Sequence, residues 1–493
     1  MSKIKQQFIK DFDETNNINL SFDTSKLELN IKTSKRNKTT VTRLIVASSI
    51  VIGVILTLLV PLLPFIKTKT DMNLYKRAYT LNEIALAENN SFKKINDFDY
   101  PDGTKPVKSV LTNSEIASYN SFVNATYQAL IDTSKANNMS YSTVGLYSIL
   151  NELVAASTTT DLKDRLNILL GMDETSRVQF YNKVIKANSY ASEHSSIQLK
   201  NAAFLSNQYE YSQEYVDVLT SLYCEAYQLD FDTQFHKMTE WVNAAMGSNF
   251  INDQFFVSEN DPLMYLLSTL YFKNAWNKKY LSNDNVGDFF YLSDGNVIKT
   301  KYMKHSYYLD YYYDYGEYIS FKDYYYNSYA NITYIIPKSE RVNIYDLVRD
   351  VNIFEEKEEN KIQLANQNPI FVNLQTPKFN QVSDVDFKGA ISSLGFADIF
   401  NNEIDSFSNV FNETDQSFKG LYLEQIKQRN EVVFNEDGST IKSLSIAGFG
   451  PTGIAPIPEL DTLDVKLNQP FIYIIRDIND TPIFVGHMDN PID

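Results

Sequence analysis

The sequence predicts an α+β fold in which helices come first and strands dominate later. Two observations support this class: apolar residues recur at helical spacing from about residue 114 to residue 171, and short strand-like runs follow from about residue 265. The pattern does not alternate strand with helix, so it does not predict βαβ units. With 493 residues, 43% of them hydrophobic, the chain is large enough to bury an extensive core.

Three helices begin the predicted fold, and the first of them is amphipathic. The second runs through Leu146–Leu153, and the third through Leu162–Leu170, where Gly171 predicts its end. The first is marked by six apolar residues at helical spacing: Tyr119, Phe122, Val123, Tyr127, Leu130 and Ile131.

Strands are predicted from runs of β-branched and aromatic residues. Asp294-Gly295 predicts a hairpin turn between the second of these runs and Val297–Lys304. The runs are Tyr265–Phe272, Phe289–Leu292, Ile332–Ile336, Ile370–Leu374 and Phe471–Ile475.

An apolar stretch near the N-terminus predicts a membrane span. Leu44–Ile66 contains 23 uncharged residues, enough to cross a bilayer as a helix, and basic residues are denser before it than after it. We therefore expect a disordered cytoplasmic tail over 1–43, a transmembrane helix over 44–66, a stalk over 67–112 and a folded extracellular domain over 113–493. The alternative is a signal sequence cut after Pro64, which would release a secreted domain.

Composition excludes several classes of function. The net charge of −16 argues against nucleic-acid binding, which requires clustered lysine and arginine. The single cysteine, Cys224, cannot form an intrachain disulfide, and its apolar neighbours predict a buried, inert thiol. His194, His236, His305 and His487 lack metal-ligand spacing, and the sequence contains neither a nucleophile elbow nor a Walker A loop. We expect no catalysis, no cofactor and no metal, and a monomer.

A movable, exposed segment is predicted near the C-terminus. Glu431–Phe434 is strand-like and is followed by the charged turn Asn435–Gly438. Ser439–Ala447 is mostly small or polar, and three prolines then interrupt regular structure up to Pro458. This order of strand, hinge, strand-capable segment and loop is typical of a bait that can change its position.

Several motifs resemble those of one family, the serpins, and they lie in the family's order over about residues 114–493. Val465–Ile475 matches the family signature, and Pro482–Pro491 resembles its closing strand. Upstream, five further stretches resemble family motifs: Asn138–Thr143, Trp241-Val242, Leu270–Trp276, Thr376–Phe379 and Leu394–Phe400. The resemblance implies three β-sheets with about nine helices and an exposed reactive-centre loop.

The resemblance also implies a function: suicide-substrate inhibition of a serine or cysteine protease. A protease cuts the loop and is held as an acyl-enzyme while the freed segment inserts into the main sheet. Gly438 corresponds to the pivot of a hinge formed by Glu436, Asp437, Gly438, Ser439, Thr440, Ile441 and Lys442. Candidate cleavage residues are Phe449, Thr452, Gly453, Ile454, Glu459 and Leu460. Residues 443–465 lack lysine and arginine, so we expect a protease that prefers apolar or small residues.

Two departures from the inhibitory pattern leave a second function open. Ile441 and Lys442 stand where inhibitory serpins have small residues, although strand alternation would turn Lys442 outward and Ile441 inward with Ser439. The polar network that lets the sheet open would consist of Ser142, Ser268 and Gln428, with Ser268 and Gln428 replacing the family's asparagine and histidine. The alternative is a non-inhibitory, serpin-fold binding protein displayed on the membrane. Nearby, Thr143 and Gly145 replace the family's proline and serine.

Overall fold

Most helices lie before residue 246 and most strands after residue 263, as the hydrophobic pattern predicts. The computed structural model describes residues 92–134, 138–256, 262–280, 286–339, 343–364, 368–412, 420–440 and 462–492. All of them belong to the compact unit Asp71–Asp493. The nine α-helices within these ranges are α1 (Asn113–Thr133), α2 (Thr143–Ala156), α3 (Thr160–Leu170), α4 (Glu174–Ala187), α5 (Gln213–Ser221), α6 (Phe231–Gln234), α7 (His236–Ala245), α8 (Ile344–Asp350) and α9 (Lys388–Ile391).

The described strands confirm all five predicted strand-like runs and add others. They are β1 (Lys93–Lys94), β2 (Met139–Ser142), β3 (Ser189–Ala191), β4 (Ser195–Ser206), β5 (Cys224–Leu229), β6 (Met264–Ala275), β7 (Val286–Tyr291), β8 (Val297–Leu309), β9 (Tyr312–Asp314), β10 (Tyr318–Tyr324), β11 (Asn331–Pro337), β12 (Lys361–Ile362), β13 (Ile370–Pro377), β14 (Phe379–Asp386), β15 (Lys427–Asn435), β16 (Gly438–Thr440), β17 (Thr462–Lys466), β18 (Phe471–Arg476) and β19 (Pro482–Met488). Short 3₁₀ or π turns occupy Asp253–Phe256, Tyr326–Ser328, Glu358–Asn360, Ser392–Phe396, Ala397–Phe400 and Ser408–Val410.

The three predicted helices are present, and local capping explains where they begin or end. Before α1, the Thr112 hydroxyl accepts from the Glu115 amide at 3.1 Å while the Glu115 carboxylate accepts from the Thr112 amide at 2.7 Å. Ser142 caps α2 by accepting from the Gly145 amide. Helix α3 ends at Gly171, whose φ of +78° is in the left-handed region that glycine favours.

These strands form three sheets, as the resemblance implied. The main sheet has eight strands in the order β1-β5-β4-β6-β16-β15-β14, with β3 added beside β4. The second sheet has the order β12-β9-β10-β11-β18-β19-β2, and the third has the order β17-β13-β8-β7. The predicted hairpin joins β7 and β8, which pair from Tyr291 opposite Val297 onward.

Helix α2 forms the centre of the core behind the main sheet. Thirteen of its residues are buried, including polar ones such as Ser148, Asn151 and Glu152. A helix that is buried on nearly every side cannot be amphipathic, which explains why its apolar content rather than its periodicity identifies it. Its N-terminus lies beside β15, because the side chain of Gln428 bonds to the backbone of Ser142.

The described part of the predicted stalk, residues 92–112, packs against the domain. Lys93 and Lys94 pair with Gln228 and Tyr227, so β1 covers the outer edge of β5. Phe92 is buried and its ring stacks on Tyr227 at 5.2 Å. The structure therefore places these residues against the folded unit, upstream of the boundary predicted at residue 113. The apolar and turn residues of this segment are compatible both with packing against the domain and with an extended stalk.

The predicted tail, the predicted membrane span and the first part of the stalk lie outside the described residues. Within the described ranges, no helix combines the length and the apolar character needed to cross a membrane.

Candidate functional site

The described part of the predicted hinge forms a short strand inside the main sheet. Gly438, Ser439 and Thr440 pair with Ala275, Asn274 and Lys273 of β6. The same three residues pair on their other side with β15, where Asn435 is opposite Gly438 in a tight hairpin. Strand β16 is antiparallel to both neighbours, so three residues of the hinge already separate the two strands.

Ser439 points into the interior. It is 2% exposed, and the hydroxyl of Tyr325 donates a hydrogen bond to its Oγ at 2.6 Å. Burial raises the pKa of the Tyr325 hydroxyl well above its usual range, so this group remains protonated and can keep donating. Trp276 stacks on Tyr325 at 4.7 Å and donates from its indole nitrogen to the Asn435 carbonyl at 2.9 Å. An aromatic floor therefore supports the start of the hinge.

Gly438 is required by a close approach of two backbones. A Cβ atom at this position would lie 2.1 Å from the carbonyl oxygen of Asn274 and 2.8 Å from the Cα of Ala275. Any other residue would force β16 away from β6, because the obstructing atoms belong to the backbone. The glycine that the resemblance assigned as a pivot therefore also permits the pairing.

Two ion pairs hold the charged residues that precede Gly438. Lys378 contacts Glu436 at 2.9 and 3.2 Å from the β14 side of the sheet. Lys279 pairs with Asp437 from the β6 side. The two lysines are 42–43% exposed, so each pair is screened by water and contributes about 0–1 kcal/mol. The pairs orient the turn more than they stabilise the fold.

Below the hinge, the described residues of the main sheet leave a position open between β6 and β15. In the described residues, no backbone ladder joins β6 directly to β15, and β16 bridges them over three residues. The row from Met264 to Leu267 on β6 is half-buried rather than buried, as expected beside a gap.

The predicted sheet-opening residues converge beneath this gap. Gln428 accepts from the Ser142 amide at 2.9 Å and donates to the Ser142 carbonyl at 3.0 Å. Two residues further along β15, Asn430 donates to the Ser140 carbonyl at 3.0 Å. These bonds connect β15 to β2 and to the start of α2, and the glutamine thus satisfies both polar ends of its side chain.

Ser268 reaches the same place but finds no partner. Its Oγ is buried without a hydrogen bond, although Gly145 is close enough that a Cβ there would lie 3.2 Å from this atom. The same Cβ would also lie 3.3 Å from the Gln428 side-chain nitrogen. Glycine at position 145 therefore makes room for this network, and the buried hydroxyl of Ser268 is left unsatisfied.

Other predicted residues are divided between described and undescribed parts of the chain. Ile441, Lys442 and all six cleavage candidates fall within 441–461, outside the described residues. Sequence reasoning missed Tyr325 and Lys279 as contacts of the hinge. Lys378 and Trp276 carried a signal, since both occur in motifs that resemble the family, whereas Tyr325 is one of many tyrosines and had none.

The remaining candidate groups are structural. Cys224 is buried, as predicted, and burial next to Glu152 raises the pKa of its thiol well above the usual range. His305 lies buried 3.2 Å from Asp323, and His487 bonds to Tyr127 at 3.1 Å. Among the described residues, no three metal-ligating side chains come together.

Comparison with known proteins adds a family-level match. The model of the family described as serpin (serine protease inhibitor) matches residues 117–491. Serpin-Z2A of Triticum aestivum is 25% identical over 381 residues, covering 73% of this chain and 91% of its own. Corticosteroid-binding globulin of Saimiri sciureus is 22% identical over 389 residues, covering 76% of this chain and 90% of its own.

The fold is also similar to solved structures. The crystal structure of the thermophilic serpin tengpin in its native state aligns with a TM-score of 0.64 at 18% identity. The alignment covers 78% of this chain and 97% of tengpin. At this identity the likeness concerns the fold.

Proposed function

Because the chain belongs to the serpin family, whose members are generally protease inhibitors and not enzymes, we propose that it traps a serine or cysteine protease as a suicide substrate. One observation carries the proposal: Gly438–Thr440 is already paired between β6 and β15, which have no direct ladder below it. The hinge therefore provides the first paired residues of a strand, which the residues after Thr440 could lengthen between β6 and β15.

The chemistry of the proposed reaction belongs to the protease. Its nucleophile attacks the carbonyl carbon of the scissile loop bond, the C–N bond breaks, and the leaving amine takes a proton from the protease's general acid. An ester, or a thioester for a cysteine protease, then joins the loop to the enzyme. Insertion of residues 441 onward would move the bound protease away from the position where it first bound, before water can cleave the ester.

The register of β16 predicts where the inserted residues would lie. Ser439 is opposite Asn274 and Phe434, and each step forward along the loop moves one step back along both partners. Ile441 would enter the row of Phe272 and Val432, both 2% exposed. An isoleucine suits this apolar row, so the bulk that departs from the inhibitory pattern does not argue against insertion.

The same register supplies partners for two further loop residues. Lys442, on the outer face, would lie in the row of Glu431, whose carboxylate can pair with it. Ser445, on the inner face, would lie in the row of Ser268 and Gln428. A serine at this position would offer a partner to the unsatisfied Ser268 hydroxyl.

A target with an apolar specificity pocket fits the loop. Residues 443–465 contain no lysine or arginine, which a trypsin-like pocket requires. The candidates Phe449, Ile454 and Leu460 suit chymotrypsin- or elastase-like pockets; Thr452, Gly453 and Glu459 follow from loop spacing.

Incubation of the full chain with chymotrypsin- and elastase-like proteases tests the proposal. We expect a covalent complex that survives SDS, and a higher melting temperature after the loop is cut. Ser439→Arg is the matched control, because a long charged side chain would displace the Tyr325 hydroxyl from a site that is 2% exposed; it should be cut without forming a complex. Cleavage of the unaltered chain without a complex, and without a gain in stability, would reject inhibition.

That outcome would favour the second candidate, a non-inhibitory binding protein displayed on the membrane. A relative whose name states corticosteroid binding shows that the fold is shared with proteins named for binding. The unsatisfied Ser268 also removes part of the network that the resemblance assigns to sheet opening.

We also propose that Leu44–Ile66 anchors the chain, with residues 67 onward outside the cell. The uncharged length of this segment and the basic residues before it support this orientation. Sequencing the mature N-terminus tests it: a start after residue 66 would replace the anchored form with a secreted one. We expect a monomer without affinity for nucleic acid.

A further inference from the structure

A cavity of about 120 Å³ lies at the end of β8, and five of its eleven lining residues are tyrosines. Its lining includes Tyr308, Tyr311, Tyr312 and Tyr324, together with the carboxylates of Asp310 and Glu356. We call this the tyrosine pocket. Tyr308 is 55% exposed, so the wall is open to an incoming group. The volume suits one long side chain rather than a drug-sized ligand.

Aromatic walls of this kind attract cations. The electron-rich face of a tyrosine stabilises an ammonium or guanidinium group placed within about 6 Å of the ring centre. The chain itself uses this interaction at the pocket, where the Lys361 ammonium lies 4.3 Å from the centre of the Tyr311 ring. The remaining tyrosines can offer the same contact to an external cation.

The charges around the tyrosine pocket also favour a cation. Lys322 at its base is already neutralised, since its ammonium lies 2.9 Å from Glu356 and 2.8 Å from Asp480. Asp310 is exposed on the rim. An acidic run begins at Glu355. Its second residue, Glu356, lines the pocket and accepts a hydrogen bond from the Tyr313 hydroxyl at 3.1 Å. Among the lining residues, the carboxylates of Asp310 and Glu356 therefore outnumber the single ammonium, that of Lys322.

The tyrosine pocket is close to the point where the reactive loop returns to the fold. Thr462, the first described residue after the loop, pairs with Phe371 on β13. The Phe371 ring contacts that of Tyr308 at 5.3 Å, and Tyr308 lines the pocket. A protease holding the loop would therefore bring its own surface beside the pocket.

We propose that the tyrosine pocket is a second contact for the target protease and receives a lysine or arginine side chain from it. This inference rests on the proposed inhibitory function. The loop would then select the protease by its apolar specificity pocket, while this site would select it by a basic residue at the edge of its active-site cleft. Such a contact acts mainly on the rate of association.

A direct binding measurement tests the site without a protease. The full chain, labelled with ¹³C in its tyrosine rings, is titrated with N-acetyl-lysine methylamide and with the uncharged N-acetyl-norleucine methylamide. We expect the lysine probe alone to shift the Tyr308 ring signal, which a Tyr308→Phe variant identifies. The shift should be lost in Asp310→Asn, and equal shifts with both probes would overturn the proposal.

A kinetic measurement tests whether the tyrosine pocket contacts the target protease. With a protease that the unaltered chain traps, Asp310→Asn and Tyr308→Leu should each lower the association rate constant roughly fivefold, the equivalent of about 1 kcal/mol for a cation–π contact. The number of inhibitor molecules used per trapped protease should not change. Asp232→Asn removes the same charge from another exposed position and should leave the rate unchanged.

The two arms separate failure of the site from failure of the proposed function. Unchanged rate constants in both variants would overturn the pocket as a protease contact while leaving inhibition intact. If the unaltered chain traps no protease, the proposed inhibitory function is rejected, and a protease is rejected as the occupant of the pocket. The probe titration still decides whether the pocket binds cations.

Discussion

At the scale of single residues, Ser142, Ser268 and Gln428 meet around Gly145, but their hydrogen bonds are unequal. Gln428 satisfies both ends of its amide on the Ser142 backbone, whereas the buried Ser268 hydroxyl has no partner. Leaving a buried polar group unsatisfied typically costs about 1–3 kcal/mol. The unsatisfied hydroxyl therefore destabilises the protein before its loop is cut.

Ser268→Ala should stabilise the intact protein by about 1 kcal/mol, because it removes a buried hydroxyl that makes no bond. Ser142→Ala is the matched control: it removes the hydroxyl that accepts from the Gly145 amide at 3.1 Å and should destabilise by a similar amount. Denaturant unfolding measures both. Destabilisation by both substitutions would show that Ser268 does have a partner.

Glu152 is a second buried group with a defined effect. Burial is the main cause that raises the pKa of its carboxyl from 4.5 to about 8, against a smaller lowering by the Ser148 hydroxyl. The groups around it are Cys224, Tyr181 and Tyr215, all buried and without a cation among them. Glu152 therefore stays protonated in the folded protein at neutral pH.

The pH dependence of stability follows from this shift. Between pH 4.5 and about 8 the unfolded chain has released the Glu152 proton while the folded chain retains it, so stability falls as pH rises. The contribution is about 1.4 kcal/mol per pH unit. Glu152→Gln should remove this slope, which unfolding midpoints measured from pH 5 to pH 8 would detect. An unchanged slope would mean that the carboxyl is ionised in the fold.

At the scale of elements, β16 defines the register of any longer strand in the gap between β6 and β15. Three paired residues are enough, because a shift by one residue would turn Ser439 out of its buried site. The register makes a specific statement about Lys442, which should meet Glu431 on the outer face of the sheet after insertion.

Lys442→Glu should therefore slow loop insertion about two- to fivefold, since an exposed ion pair contributes about 0.2–1 kcal/mol. Adding Glu431→Lys should restore the rate by restoring opposite charges. Stopped-flow fluorescence from a label on the loop measures insertion after protease is added. A double variant as slow as the single one would contradict the register.

At the scale of the whole molecule, the segment from residue 92 to residue 112 connects separate parts of the fold. Asn96 accepts from the Ala226 amide at 2.8 Å and donates to the Cys224 carbonyl at 2.9 Å. Further along, the Ser109 amide donates to Asn479 between β18 and β19 at 2.8 Å. The segment thus links the edge of the main sheet to the second sheet.

Asn96→Ala should lower the free energy of unfolding by about 2 kcal/mol, because it leaves backbone groups of β5 without partners. Hydrogen exchange at residues 224–228 should accelerate with it. Asp97→Ala, at the exposed neighbouring position, is the control and should change neither quantity. Equal effects of the two substitutions would indicate that the segment contributes little to the edge.

Local sequence was sufficient for the first three helices, the hairpin and the family. The Thr112–Glu115 capping box, Gly171 and Asp294-Gly295 act on neighbours a few residues away, so their effect can be predicted without the fold. The signature Val465–Ile475 and the preceding motifs identified the three-sheet architecture by resemblance. The edge pairing between Lys93 and Gln228, upstream of the boundary predicted at residue 113, has no local signal.

Only the tertiary structure decided how the hinge and its surroundings meet. Ser142 and Gln428 are 286 positions apart in the chain, and the partner of Ser439, Tyr325, is 114 positions away. Contacts at such separations depend on strand order and register, which no short motif encodes. The resemblance assigned Gly438 as a pivot. The close backbone of Asn274, the unsatisfied Ser268 hydroxyl and the tyrosine pocket are visible only in the packed chain.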